Sequence, residues 1–198
     1  LSFTSYKGLK TPNEVLTKIA EYINGKGYTI VEPIADDLAI YSSASAVTDG
    51  KKFVFKDKTN TYFICMRSAN GYDIFGTNSD AYMETLDSAT YKNLAYSGIG
   101  VTVAEGYSHT QRWYNQYKAP LKKGATDILG VFMPVTNDDI QTDNNNKHNY
   151  SFTLYCNNIT TPTDTLIFTV MKENDTKNIV SHIVIGNVSK YGTWTGGV

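Results

Sequence analysis

Thr11-Pro-Asn-Glu-Val-Leu-Thr-Lys-Ile-Ala-Glu-Tyr-Ile-Asn-Gly-Lys-Gly-Tyr-Thr-Ile-Val31 is the stretch from which the fold class follows. Thr11 offers a hydroxyl to cap a helix, Pro12 suits the first helical position, and Glu14 sits where a capping box needs its carboxylate. Val15, Leu16, Ile19, Ala20 and Ile23 then recur at helical spacing on one apolar face, and Gly25 or Gly27 ends the helix. Tyr28-Thr-Ile-Val31 switches to the period of a strand. A helix with one apolar face must cover something, and the rest of the chain is rich in strand signals. The expectation is an α+β fold: mainly antiparallel β-sheet with one N-terminal helix packed on it.

Working outward, Lys52-Phe-Val-Phe55 and Tyr62-Phe-Ile-Cys-Met66 flank the turn residues 57–60 and predict a hairpin. Asn70-Gly71 is a strong turn signal ahead of Tyr72-Asp-Ile-Phe75. Residues 76–98 read as a long polar loop. Ile99, Val101 and Val103 alternate as in a half-buried strand, and Ile128 to Val135 forms another short one. The polar run NDDIQTDNNNKHN at 137–149 reads as an exposed loop, the place where a single domain over 1–198 would subdivide. Beyond it, Tyr150–Cys156, Thr165–Lys172 and Ile179–Gly186 predict a three-stranded antiparallel meander.

The 198 residues suffice for one substantial core, and 41% hydrophobic with 13% aromatic residues argue for a folded chain. Fifteen tyrosines against only 19% charged residues favour strands and adaptable protein-contact surfaces. A formal net charge of -1 gives no electrostatic case for nucleic acid or an anionic membrane. No apolar run approaches the ~20 residues of a helical membrane span. Lys51-Lys52 and Lys122-Lys123 read as solvated turns. Cys65 and Cys156 lie far apart in apolar surroundings, so two buried thiols are favoured over a disulfide. Neither has the spacing of a metal site, and no metal or cofactor is expected.

Candidates for chemistry are few. Among three histidines, His148 lies in the polar loop and His182 interrupts a strand, while His109 sits in Gly106-Tyr-Ser-His-Thr-Gln-Arg-Trp-Tyr-Asn-Gln116. No nucleophile elbow, phosphate-binding loop or dinucleotide fingerprint is present. Asp36-Asp37, Asp138-Asp139 and Glu105 supply carboxylates whose separation only a fold can set. They read first as solvated loop residues, and the calcium-ligand types near residues 138–145 match no known loop spacing. Trp113, Tyr114 and Tyr117, beside Asn115 and Gln116, have the makings of a sugar platform: rings to stack, amides to bond hydroxyls. The competing reading is an aromatic corner packed on the sheet. Tyr191 and Trp194, flanked by glycines, are expected to dock the C-terminal segment onto its own sheet or a neighbour.

The order of these blocks carries a resemblance. Val15-Leu-Thr-Lys-Ile-Ala-Glu-Tyr-Ile23 leads to Gly27-Tyr-Thr-Ile30; Tyr62 to Phe75 follows, then Gly98-Ile-Gly100, Gly106-Tyr107 and Trp113-Tyr-Asn-Gln116. Tyr150-Ser-Phe-Thr-Leu154, Leu166-Ile-Phe-Thr-Val170 and the segment from His182 to Gly197 complete the series. This series resembles structural proteins of the tails and baseplates of tailed bacteriophages. It departs from them at Tyr117-Lys-Ala-Pro120, where they carry proline-glycine, and in stopping at Val198 just after Gly196-Gly197. The resemblance implies a virion component, made in the host bacterial cytoplasm, that assembles with other tail or baseplate proteins and with copies of itself. It implies no catalytic residues, hence no enzyme. A carbohydrate- or receptor-binding module holding a host glycan on Trp113, Tyr114 and Tyr117 is the alternative. A tail-associated wall hydrolase using an acid such as Glu105 is the third.

Overall fold

The computed structural model describes residues 3–36, 50–69, 97–111, 116–117, 130–135, 151–160, 164–173 and 180–186. In it the capping box closes: Glu14 N donates to Thr11 Oγ1 at 3.2 Å and Thr11 N donates to Glu14 Oε2 at 3.1 Å. The chain runs through β1 (Phe3–Leu9), α1 (Pro12–Gly25), β2 (Ile30–Asp36), β3 (Lys51–Lys56), β4 (Phe63–Ala69) and β5 (Ser97–Ala104). It continues through β6 (Gly130–Val135), β7 (Phe152–Ile159), β8 (Thr165–Lys172) and β9 (Val180–Ile185). Two antiparallel sheets result, a five-stranded one ordered β2-β3-β4-β5-β6 and a four-stranded one ordered β1-β7-β8-β9, with β6 lying beside β9. The α+β expectation is what the structure has.

Helix α1 is clasped by both sheets rather than laid on one. Val15, Leu16, Ile19, Ala20, Tyr22 and Ile23 are all buried. They join Phe53, Phe55, Ile64, Met66, Ile99 and Val101 of the five-stranded sheet with Leu154, Cys156, Leu166, Phe168 and Val170 of the four-stranded one in a single cluster. Tyr22 meets Phe168 edge-on at 6.2 Å, and Phe53 stacks on Phe55 at 5.5 Å. Such rings contribute both apolar area and oriented contacts.

The expected hairpin is β3–β4. Asp57 organises its turn by accepting hydrogen bonds from Tyr62 N and Thr61 N, both at 2.8 Å. Burial pushes the Asp57 carboxyl up, but bonds from Thr59, Tyr62 and Thr61 outweigh it and hold the group below its ordinary value. Asn60 takes the left-handed conformation there, at φ 57. The meander is β7–β8–β9, in continuous register.

Strand β1 went unread, because its alternation is weak and it gains its place only by pairing with β7. Its bulge at Gly8 (φ 72) is tied down by Glu173, whose Oε1 accepts from Gly8 N at 3.1 Å and from Thr153 Oγ1 at 2.5 Å. Strand β5 is not half-buried in simple alternation: Ile99 and Val101 face the helix, yet Thr102 and Ala104 on the opposite face are buried too. Lys51-Lys52 is no turn. Both lie in β3, paired with Asp36 and Glu32 of β2 at 2.8 Å each; Asp36 stands directly opposite Lys51, and Glu32, opposite Val54, reaches Lys52 diagonally. Residues 70–96 and 136–150 lie outside the described residues, and with them the Tyr72–Phe75 reading and the loop of the proposed subdivision. Elements from either side of that loop, β1 and β7, pair directly.

Candidate functional site

The loop that carries most of the sequence candidates is pinned at its base. Glu105 N and Gly106 N both donate to Tyr117 O, at 3.1 and 3.4 Å, and Gly106 bridges Tyr117. A Cβ on Gly106 would stand 3.1 Å from that of Tyr117, so glycine permits the approach. Gln116 is buried and clamps the loop from within. Its Oε1 accepts from Ser108 N at 2.8 Å, and its Nε2 donates to Ser108 O and Gln111 O at 3.1 and 3.2 Å. An amide committed to three backbone partners is a structural clamp, which takes Gln116 out of the expected sugar platform. Tyr117 is 66% exposed. Trp113, Tyr114, Tyr191 and Trp194 lie outside the described residues.

Behind this loop, the face of the five-stranded sheet turned away from α1 is polar yet covered. Lys52 pairs with Glu32 and stands 5.8 Å from the Tyr107 ring centre; Tyr107 stacks on Phe63 at 6.0 Å, and Lys56 caps Phe63 at 4.7 Å. Burial pushes the Glu32 carboxyl up, but hydrogen bonds from Lys52 and Tyr107, with the nearby charges of Lys52 and His109, bring it below the ordinary range. Arg67 and Thr102 are buried on the same face, at 2% and 3% exposure. Cys65 stands directly opposite Thr102 in register and two residues from Arg67, its thiol pushed up to about 12 by burial. Cys156 is pushed up equally, so both free thiols are poor nucleophiles at neutral pH.

The remaining candidates are scattered. His109 and Glu105 are exposed. His182 is exposed as well and shares a 3.0 Å hydrogen bond with Thr169 Oγ1 across β8 and β9. Asp36 is used by Lys51, and Asp37, His148 and Asp138-Asp139 lie outside the described residues. Among the described residues, no group of three or more His, Cys, Asp or Glu side chains is placed to hold a metal ion.

The surface that sequence reading passed over is the outer face of the four-stranded sheet. Register sets Phe3, Asn157, Ile167 and Val184 in one row across four strands, with Ser5, Tyr155, Thr169 and His182 in the next. Phe3 is 65% exposed and Val184 60%, while Tyr155 leans against Phe3 with ring centres 6.1 Å apart. A signal was available in Thr165-Leu-Ile-Phe-Thr-Val-Met-Lys172, where apolar residues occupy both parities of the strand: Leu166, Phe168 and Val170 inward, Ile167 and Met171 outward. A strand facing water on one side would alternate instead.

Comparison with protein-family models, with curated proteins and with solved structures gives no match.

Proposed function

We propose that this chain is a structural component of a tailed-phage virion, placed in the baseplate or distal tail and working by protein–protein assembly. The observation that carries the reading is the outer face of the four-stranded sheet, which exposes Phe3 and Val184 with the half-buried Tyr155 and Ile167 beside them. Exposed apolar surface of this kind marks contact sites. The ordered series of aromatic and glycine blocks supports placing that contact in a phage tail. Glycan binding at Tyr117 is the second reading, weakened because the Gln116 amide beside it is occupied by backbone. No observation among the described residues favours the wall hydrolase.

Immunogold electron microscopy of tailed particles, with antibody against this chain, tests the proposal. Label at the distal tail is the expected result. Particles without label, with the protein free in the lysate, would overturn it and direct attention to glycan arrays.

A further inference from the structure

We propose that a buried water molecule bridges Tyr28 Oη and Asn158 Oδ1, joining the exit of α1 to the end of β7, with Tyr22 Oη as its third partner. The inference goes beyond the virion reading and does not depend on it. It starts from three orphaned oxygens. Tyr22 and Tyr28 are 5% and 7% exposed, and each hydroxyl is buried with no hydrogen-bond partner among the described residues. Asn158 Oδ1 is buried without a partner in the same way. A polar atom in that position has given up its hydration for nothing, and native cores seldom leave several such atoms together.

Register brings the three to one place. Cys156 and Asn158 are alternate residues of β7, opposite Phe168 and Leu166 of β8, and so share the face turned to α1. Tyr22 meets Phe168 edge-on, and its phenol is pushed up by burial first and then by Cys156. The Tyr28 phenol is pushed up to about 12, by burial first and then by Asp164 and Tyr22, while Asn158 acts in the opposite sense. Tyr28 and Asn158 therefore stand close enough to influence each other, yet make no direct hydrogen bond. Water spans such a separation at little enthalpic loss. The donors also balance. Tyr28 O–H donates to the water, which gives one hydrogen to Asn158 Oδ1, an acceptor only, and one to Tyr22 Oη. A buried water typically makes about three hydrogen bonds. Neither ring is free to swing its hydroxyl out to solvent. Lys58 Nζ lies 4.4 Å from the Tyr28 ring centre while donating to Lys26 O and Gly27 O at 2.7 and 3.1 Å. Phe55 of β3 meets the same ring edge-on at 5.7 Å, and Lys26 Nζ lies 5.2 Å from the Tyr22 ring centre. Tyr28 thus belongs with the five-stranded sheet and Asn158 with the four-stranded one, and the water is a polar stitch between them.

A crystal structure of the full chain at atomic resolution tests this, together with the unfolding equilibria of Tyr28→Phe, Asn158→Ala and the double variant. One ordered water within hydrogen-bond distance of Tyr28 Oη and Asn158 Oδ1 is the expected result. Each single substitution should raise the unfolding equilibrium constant ~3- to 10-fold. The double variant should lose less than the product of the two, since either change alone already breaks the bridge. Tyr22→Phe takes the place of Asn158→Ala in the cycle if that variant fails to give a wild-type circular dichroism spectrum. A direct Tyr28–Asn158 hydrogen bond with no water between them would overturn the inference. So would a Tyr28→Phe variant as stable as wild type or more so, the behaviour of a hydroxyl buried dry.

Discussion

The two sheets share one core but treat their other faces in opposite ways. The five-stranded sheet carries Glu32, Lys52, Arg67 and Thr102 on the side away from α1, and there they are wholly or partly covered by the chain itself. The four-stranded sheet carries Phe3 and Val184 exposed on its outer side, with Tyr155 and Ile167 half-buried beside them. Polar groups taken out of water are costly unless paired, and Lys52 and Glu32 are paired within the first face. Apolar groups left in water represent stabilisation not yet gained, which the second face can realise only against something else. The difference teaches that polarity alone misidentifies the surface available to a partner. The polar face is the closed one.

That contrast can be broken or sharpened by experiment. The largest effect is expected where the sheets meet: Phe168→Ala and Phe53→Ala, each fully buried in the common cluster, should each cost about 3–5 kcal/mol. Both should lower one and the same thermal transition; two separate transitions, each sensitive to one substitution, would show that the sheets do not share a core.

The next effect is pH-dependent. Glu32 and Glu173 are both held below the ordinary carboxylate value: Glu32 by Lys52 and Tyr107 against burial, Glu173 chiefly by Thr153 and Gly8. Their contribution is therefore complete above the unfolded value of about 4.3 and lost as pH falls through the lower folded values. Wild type should exceed Glu32→Gln in melting temperature at pH 7, with the gap closing below about pH 4. A gap that persists unchanged in acid would mean the charge is not what matters there.

Smaller still is Thr102→Val. The Thr102 hydroxyl is buried with no hydrogen-bond partner among the described residues, so an isosteric methyl should be neutral or stabilising by up to about 1 kcal/mol in chemical denaturation. A loss of more than that would reveal a bond the hydroxyl does make. The smallest effect belongs to the open face. Val184→Ser should leave stability within about 0.5 kcal/mol, because the side chain is 60% exposed. A clear destabilisation would mean the face is already covered.

Legibility in the sequence varied with the range of the interaction. Thr11, Pro12 and Glu14 announced α1 because a capping box is satisfied within one turn of chain. Residues 57–60 announced the β3–β4 hairpin for the same reason. Gln116 looked like part of a binding platform because an amide's partners are invisible in one dimension. Its acceptors and donor lie five and eight residues away, on a loop that closes only through Gly106 and Tyr117. Lys52 looked solvated because its carboxylate, Glu32, comes from a different strand.

By itself, then, the sequence determined the class of the fold, the N-terminal helix, the hairpin and the meander, and that both cysteines would be buried thiols. Each is set by local geometry or by the apolar pattern of a short segment. Only the tertiary structure decided that β1 joins β7, that α1 is held between two sheets, and which sheet face is closed and which open. The first depends on contacts between residues more than a hundred positions apart, as Phe3 and Asn157 are, and the others on contacts between separate strands, as between Glu32 and Lys52. Pairing at that range is chosen by the packing of the whole core, not by any segment's own preference.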